Sequence, residues 1–157
     1  MNEALKLIVF SLDKQSYGLP LHAITKVLRA VEVTPLPKAL SLILGVVNVH
    51  GEIIPVLDIR NFLGLNQKAI GLSDCFITTQ ISSRTLIFVV DSVLNMTEYF
   101  TNEIAPVDCL FPKNAEHIKG ILKKDNDLIF ILDIEKLISR NDFQEIEKLA
   151  VKGSRAT

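Results

Sequence analysis

The chain has no tryptophan and only two cysteines, and ten of its 157 residues, eight Phe and two Tyr, supply all of its aromatic surface. It also lacks an excess of either charge: 17 Lys and Arg stand against 18 Asp and Glu, a net charge of −1. The balance is even along the chain, with 7 basic and 6 acidic residues in 1–80 and 10 and 12 in 81–157. A near-neutral surface excludes a protein that holds nucleic acid by phosphate neutralisation and counterion release. No apolar run reaches the roughly 18 residues that span a bilayer, so no direct membrane insertion is expected. The first ten residues lack the basic start and small-residue cleavage site of a signal peptide. Cys75 and Cys109 are far apart and belong to no C-x-x-C pair. A disulfide framework is therefore not expected, a cytoplasmic chain is the default, and the two thiols read as small buried hydrophobes. His22, His50 and His117 have no metal-ligand spacing with one another or with the cysteines, and no metal or cofactor is expected.

What is present is aliphatic. Leu, Ile and Val number 22, 18 and 13, and the hydrophobic fraction is 48%. That composition at almost zero net charge excludes extended disorder, and a chain of this length can bury roughly 68–70% of its unfolded surface. The apolar residues fall in short runs: Leu5–Leu12, Ile43–Val49, Ile53–Leu57, Phe76–Ile81, Leu86–Val90, Ile118–Leu122 and Leu128–Leu132. Turn residues separate several of them, namely residues 13–16, His50-Gly51, residues 82–84 and Asp125-Asn126-Asp127. Short β-branched runs at this spacing predict an all-β barrel or sandwich. Helical periodicity appears only at the end, where Ile134, Leu137, Ile138, Phe143, Ile146 and Leu149 recur three and four residues apart. They predict a C-terminal helix over about 134–152, with Phe143, Ile146 and Leu149 covering the barrel.

An internal repeat organises the whole chain. Shifted by 75 residues, Gly45–Val49 falls on Gly120–Lys124, and Ile53–Leu63 falls on Leu128–Ile138, with Leu-Asp-Ile at 57–59 meeting Leu-Asp-Ile at 132–134. Upstream the offset is 69, so that Tyr17–Ile24 falls on Leu86–Val93. The second copy thus carries six extra residues between the two blocks. The units run over about 4–65 and 73–139, within one domain spanning 1–157. Neither buries much alone, so the two should pack against each other. Gly51 suits a turn with positive φ. Asp58 and Asp133, where a strand gives way to a helical turn, suit N-caps.

Several blocks together resemble the CheW domain of bacterial chemotaxis adaptors. They are Leu19-Pro20-Leu21-His22-Ala23-Ile24, Thr34-Pro35-Leu36-Pro37, Gly45-Val46-Val47-Asn48-Val49-His50-Gly51 and Glu52-Ile53-Ile54-Pro55-Val56-Leu57-Asp58-Ile59-Arg60. In the second half the resemblance continues through Val90-Asp91-Ser92-Val93, Gly120 and Leu132-Asp133-Ile134-Glu135-Lys136-Leu137. It covers residues 5 to 139. It implies two five-stranded, SH3-like barrels side by side with a hydrophobic core between them. It also implies a non-enzymatic scaffold that couples the cytoplasmic tips of methyl-accepting chemoreceptors to the regulatory domain of a CheA-type histidine kinase, recruited to membrane receptor arrays. The residues it points to for partner contact are Ile24, Lys26, Val27, Asn48, His50, Gly51 and Val93. Those expected to be critical for the fold, at turns and caps, are Gly18, Pro20, Gly45, Pro55, Asp58, Gly120 and Asp133. Two positions depart from the family pattern: Lys26 stands where Glu is common, and His50 where Arg is usual. That departure opens the alternative of an adaptor in a parallel system governing pili or second-messenger output.

Rival readings are weaker. Paired Asp58 and Asp133 invite a two-lobed aspartyl hydrolase, but each is followed by Ile rather than by the Thr/Ser-Gly of such an active-site loop. Lys119, Lys123, Lys124 and Lys136 lie among Asp125, Asp127, Asp133 and Glu135, and no exposed aromatics interleave for base stacking.

Overall fold

The computed structural model describes residues 3–35, 43–105 and 117–138. Their strands are β1 (Ala4–Leu12), β2 (Gln15–Pro20), β3 (Ile24–Arg29), β4 (Ile43–Val49), β5 (Glu52–Leu57), β6 (Cys75–Ile81), β7 (Arg84–Val90), β8 (Ser92–Phe100), β9 (Ile104–Ala105), β10 (Ile118–Lys124) and β11 (Asp127–Leu132). Two four-residue helices, α1 (Ile59–Phe62) and α2 (Ile134–Leu137), follow β5 and β11. All seven apolar runs named from the sequence lie inside strands. Of the C-terminal helix, α2 is its described beginning; Phe143, Ile146 and Leu149, like Cys109, lie outside the described residues.

The strands form a six-stranded sheet, β8-β1-β2-β11-β10-β9, and a five-stranded sheet, β3-β6-β7-β5-β4. These sheets do not follow the repeat boundaries. The first copy's opening hairpin, β1–β2, belongs to the sheet of the second copy's closing strands. The second copy's opening hairpin, β6–β7, belongs to the sheet of β3, β4 and β5. The exchange is sealed by two parallel ladders in matching register: Gly18 lies opposite Ile131 in β2–β11, and Ile87 opposite Val56 in β7–β5. Ile87 is 69 residues beyond Gly18, and Ile131 is 75 beyond Val56. Both offsets of the sequence repeat are thus reproduced by backbone pairing.

Four tight hairpins share one turn chemistry. Asp13-Lys14, His50-Gly51, Ser82-Ser83 and Asp125-Asn126 all have positive φ at both central residues, the type I′ geometry that matches the twist of adjoining strands. The glycines singled out from the sequence have different roles. Gly51 is a turn residue with φ of 86° and open space around it. Gly45 and Gly120 sit inside β4 and β10, each where the register shifts. A Cβ on Gly45 would collide with the carbonyl oxygen of Thr34, whose backbone bridges Val46. On Gly120 it would collide with Ile104 of β9, beside the Ala105–Ile121 pair. Both lobes are therefore closed by a short segment crossing directly over a glycine. Gly18 lies mid-strand in β2, close against Leu7 and Ile129. Pro20 ends β2 and leads into a 3-10 turn at Leu21–Ala23. Pro55 faces Val46 just before the β5–β7 ladder begins, where a missing N–H limits pairing.

Three apolar clusters result. Leu7, Val9, Tyr99, Leu122, Ile129 and Ile131 fill the six-stranded lobe, and Val47, Ile54, Val56, Phe76 and Ile87 fill the five-stranded one. The largest lies between them and draws on both sheets, with Phe10, Leu12, Tyr17 and Leu19 from one hairpin and Ile77, Ile81, Leu86 and Phe88 from the other. Strand alternation explains this: along β1, Leu7 and Val9 face the lobe interior while Phe10 and Leu12 face the seam. The two opening hairpins are buried on both faces, which is why they read as continuous apolar runs.

Gly45→Ala and Gly120→Ala should each cost about 1–3 kcal/mol by overpacking. In thermal denaturation that is a fall of roughly 2–12 °C for a chain of this size. Gly51→Ala, with no neighbour to strike, should lose only the αL preference of glycine, about 1 kcal/mol.

Candidate functional site

The seven residues expected to contact partners separate into three settings. Ile24 begins β3 and Val93 begins β8, and both are half-buried against the central core. They are repeat counterparts, and their pairings match: Ile24 faces Thr79, Val93 faces Phe10, and a bulge follows each. Lys26 and Val27 lie further along β3, facing solvent, with Val27 39% exposed. Asn48, His50 and Gly51 form the exposed β4–β5 hairpin tip. There the Asn48 side-chain oxygen accepts a 2.8 Å hydrogen bond from the Gly51 N–H, so Asn48 holds the turn that displays His50. Among the described residues no side-chain hydrogen bond or ion pair joins Lys26 to His50.

Beside this set the structure adds Leu94 and Met96, 49% and 52% exposed on β8. Met96 is the repeat counterpart of Val27, 69 residues on. Both opening strand exits therefore present an aliphatic side chain to water, an arrangement that marks protein contact when the residues cluster. The repeat carried this signal; a search of β3 alone did not reach it.

Asp58 and Asp133 are helix N-caps. The Asp58 carboxylate accepts from the Arg60 N–H at 3.1 Å, and that of Asp133 from the Lys136 N–H at 3.3 Å. Each serves the free amides of a short helix at the end of its own lobe. No cluster of three or more potential metal-ligating side chains occurs among the described residues, and no helix among them is long and apolar enough to cross a membrane.

The strongest polar feature lies where the two lobes meet. Arg60, in α1, is buried. Its Nη1 donates to Asp13 Oδ1 at 2.8 Å and to the Asn66 carbonyl at 3.3 Å. Its Nη2 donates to both carboxylate oxygens of Asp91, at 2.7 and 2.9 Å. Asp91 lies between β7 and β8, where the chain passes from one sheet to the other. Its Oδ2 also accepts from the Asp13 N–H at 2.9 Å, and Lys68 stands 3.4 Å from both Asp91 and Asp74. Partial burial alone would raise the pKa of Asp91; the hydrogen bonds from Arg60 and from the Asp13 amide outweigh it and hold the carboxyl below its ordinary value. Sequence motifs contained Arg60 and Asp91 without revealing that they meet, because they are 31 residues apart and on different repeats.

A carboxyl with a depressed folded-state pKa adds stability above its unfolded value, near 3.8, and loses it as pH falls through the folded value. Wild type should therefore lose stability below about pH 4. Asp91→Asn should be less stable at neutral pH and show a shallower acid limb. Denaturant midpoints followed from neutral to acid pH check both.

The comparisons with known proteins agree with this geometry. Residues 6–142 match the family model described as CheW-like domain. Relatives include the chemotaxis protein CheW of Thermotoga maritima, 29% identical over 89% of this chain and 91% of that protein. Protein FrzA of Myxococcus xanthus is 32% identical over 77% of each chain. The crystal structure of the scaffolding protein TtCheW from Thermoanaerobacter tengcongensis superposes with a TM-score of 0.78 at 27% identity, covering 89% of this chain and 91% of that one. With both lobes and the exchange between them matched end to end, the chain belongs to the CheW-like domain family.

Proposed function

We propose that this protein is a chemotaxis adaptor that couples chemoreceptors to a CheA-type histidine kinase and catalyses nothing itself. The observation that carries the reading is the family match across both lobes, residues 6–142, shared with relatives named chemotaxis protein CheW. Such a protein acts by contact: it binds two partners and lets the state of one bias the other. The regulatory domain of the kinase packs barrel to barrel on one surface. The helical hairpin tip of a methyl-accepting chemoreceptor docks near the seam, where Ile24, Val27 and Val93 lie, and Lys26, Asn48, His50 and Gly51 complete the contact set. The protein works in the cytoplasm and is recruited to receptor arrays through these contacts.

The similarity to FrzA, together with Lys26 and His50 in place of the usual acid and base, favours a second form of the same reading, an adaptor in a parallel chemosensory system. The hydrolase alternative has nothing comparable: both of its carboxylates are engaged in capping helices.

Calorimetric titration of the full chain against its host's CheA-type kinases, and separately against receptor hairpin fragments, tests the reading. Saturable binding to one kinase near micromolar Kd is expected. Val27→Asp places a charge on the exposed strand exit and should weaken receptor binding about tenfold, about 1.4 kcal/mol, with unchanged folding. Folded protein that binds no kinase of its host would overturn the adaptor assignment.

A further inference from the structure

Arg60 joins three parts of the chain that the sheets leave separate. It belongs to α1, at the end of the five-stranded lobe. Asp13 belongs to the turn of the β1–β2 hairpin, in the six-stranded lobe. Asp91 is the crossover between them. The crossover is tied further to the end of β1: the Asp91 N–H donates to the Ser11 carbonyl at 3.1 Å, and the Ser11 and Ser92 hydroxyls lie 2.7 Å apart. One buried guanidinium, two carboxylates and a pair of serines thus form a polar knot across the seam. A planar guanidinium can hold two carboxylates at fixed angles at once; an ammonium cannot.

The knot exists at one end of the seam only. The repeat counterparts of Arg60, Asp13 and Asp91 are Glu135, Ser82 and His22, all exposed. Charge is reversed at the first position and absent or reversed at the others, so this constellation cannot recur there. The remainder of the seam is aliphatic, and dispersion contacts lack the directionality that would set an angle between lobes. Val93, two residues beyond Asp91, starts β8 with its side chain at the edge of that seam.

We propose that Arg60 is a positioning residue for partner binding: by fixing the crossover at Asp91 against the Asp13 turn, it sets where the β8 strand exit, with Val93, stands relative to the β3 exit, with Ile24 and Val27. The proposal rests on the adaptor reading and adds to it a residue that touches no partner yet governs one of two affinities. A receptor hairpin that spans both exits senses their spacing. A kinase domain that packs on a single lobe does not.

The test uses the full chain with Arg60→Met and Arg60→Lys, at a temperature where circular dichroism shows each fully folded. Hydrogen exchange should show the Asp13 and Asp91 amides losing protection at least tenfold in Arg60→Met while the β6–β7 amides keep theirs. Affinity for the receptor hairpin should fall five- to tenfold, affinity for the kinase should stay within twofold, and Arg60→Lys should fall between wild type and Arg60→Met. Uniform destabilisation cannot produce this split, because a fully folded variant would bind both partners as wild type does. Should Arg60→Met fail to fold, Asp13→Asn removes one arm of the knot at a half-exposed position and should shift receptor affinity in the same direction by two- to threefold. Equal affinities for the receptor in wild type and in the folded variants overturn the proposal while leaving the adaptor reading intact. A wild type that binds neither partner overturns the adaptor reading and this proposal with it.

Discussion

The structure depends on the reciprocal exchange of two hairpins. Each repeat donates its opening hairpin to the other's sheet, and the parallel β2–β11 and β5–β7 ladders hold the donations in place. A strand hairpin with apolar side chains on both faces has no stable solution by itself, since one face stays in water. Sandwiched between a lobe interior and the seam, both faces are buried, as Leu7 and Val9 on one side of β1 and Phe10 and Leu12 on the other illustrate. The two lobes are accordingly one cooperative unit. The seam is the largest apolar cluster in the molecule, larger than either lobe's own core.

An aliphatic seam between two similar lobes binds strongly but specifies orientation weakly. The polar knot at Arg60 supplies direction. Burying an arginine is costly unless its donors are met, and here the fork finds both oxygens of Asp91, one of Asp13 and a backbone carbonyl. The cost is offset by geometry that the two carboxylates and the crossover fix together. That the knot is absent from the pseudo-equivalent position makes the two ends of the molecule unlike despite their shared architecture. An adaptor that must present different surfaces to a kinase and to a receptor uses such a difference.

The fold was largely legible. Aliphatic runs of the right length located seven strands, and the 75- and 69-residue offsets correspond to pairings that the backbone makes. Asp58 and Asp133 were readable as caps because a carboxylate before a short helical turn has one obvious task. Other features were hidden. β8 is an edge strand with mixed, exposed residues over much of its length, so it shows no apolar run. β2 is interrupted by Gly18 and Pro20, whose fit depends on close neighbours rather than on local propensity. Gly45 and Gly120 read as strand starts or turn residues, whereas their need is steric, a segment from elsewhere in the chain crossing over them. The exchange of hairpins is equally invisible in a repeat, because swapped and unswapped pairings of two like units satisfy the same pattern. Partner contact was legible only through resemblance. The β8 half of the exposed apolar pair, Met96, emerges once Val27 is carried through the repeat. The Arg60–Asp91 contact joins two motifs whose meeting only the tertiary structure fixes.

Simultaneous engagement is the central claim, since an adaptor that binds its partners one at a time couples nothing. Sedimentation velocity on an equimolar mixture of the full chain, the kinase and a receptor hairpin fragment tests it directly. The account requires one boundary containing all three components, faster than either binary complex. Two binary complexes that compete for the chain, with no ternary species at saturating concentrations, would contradict it.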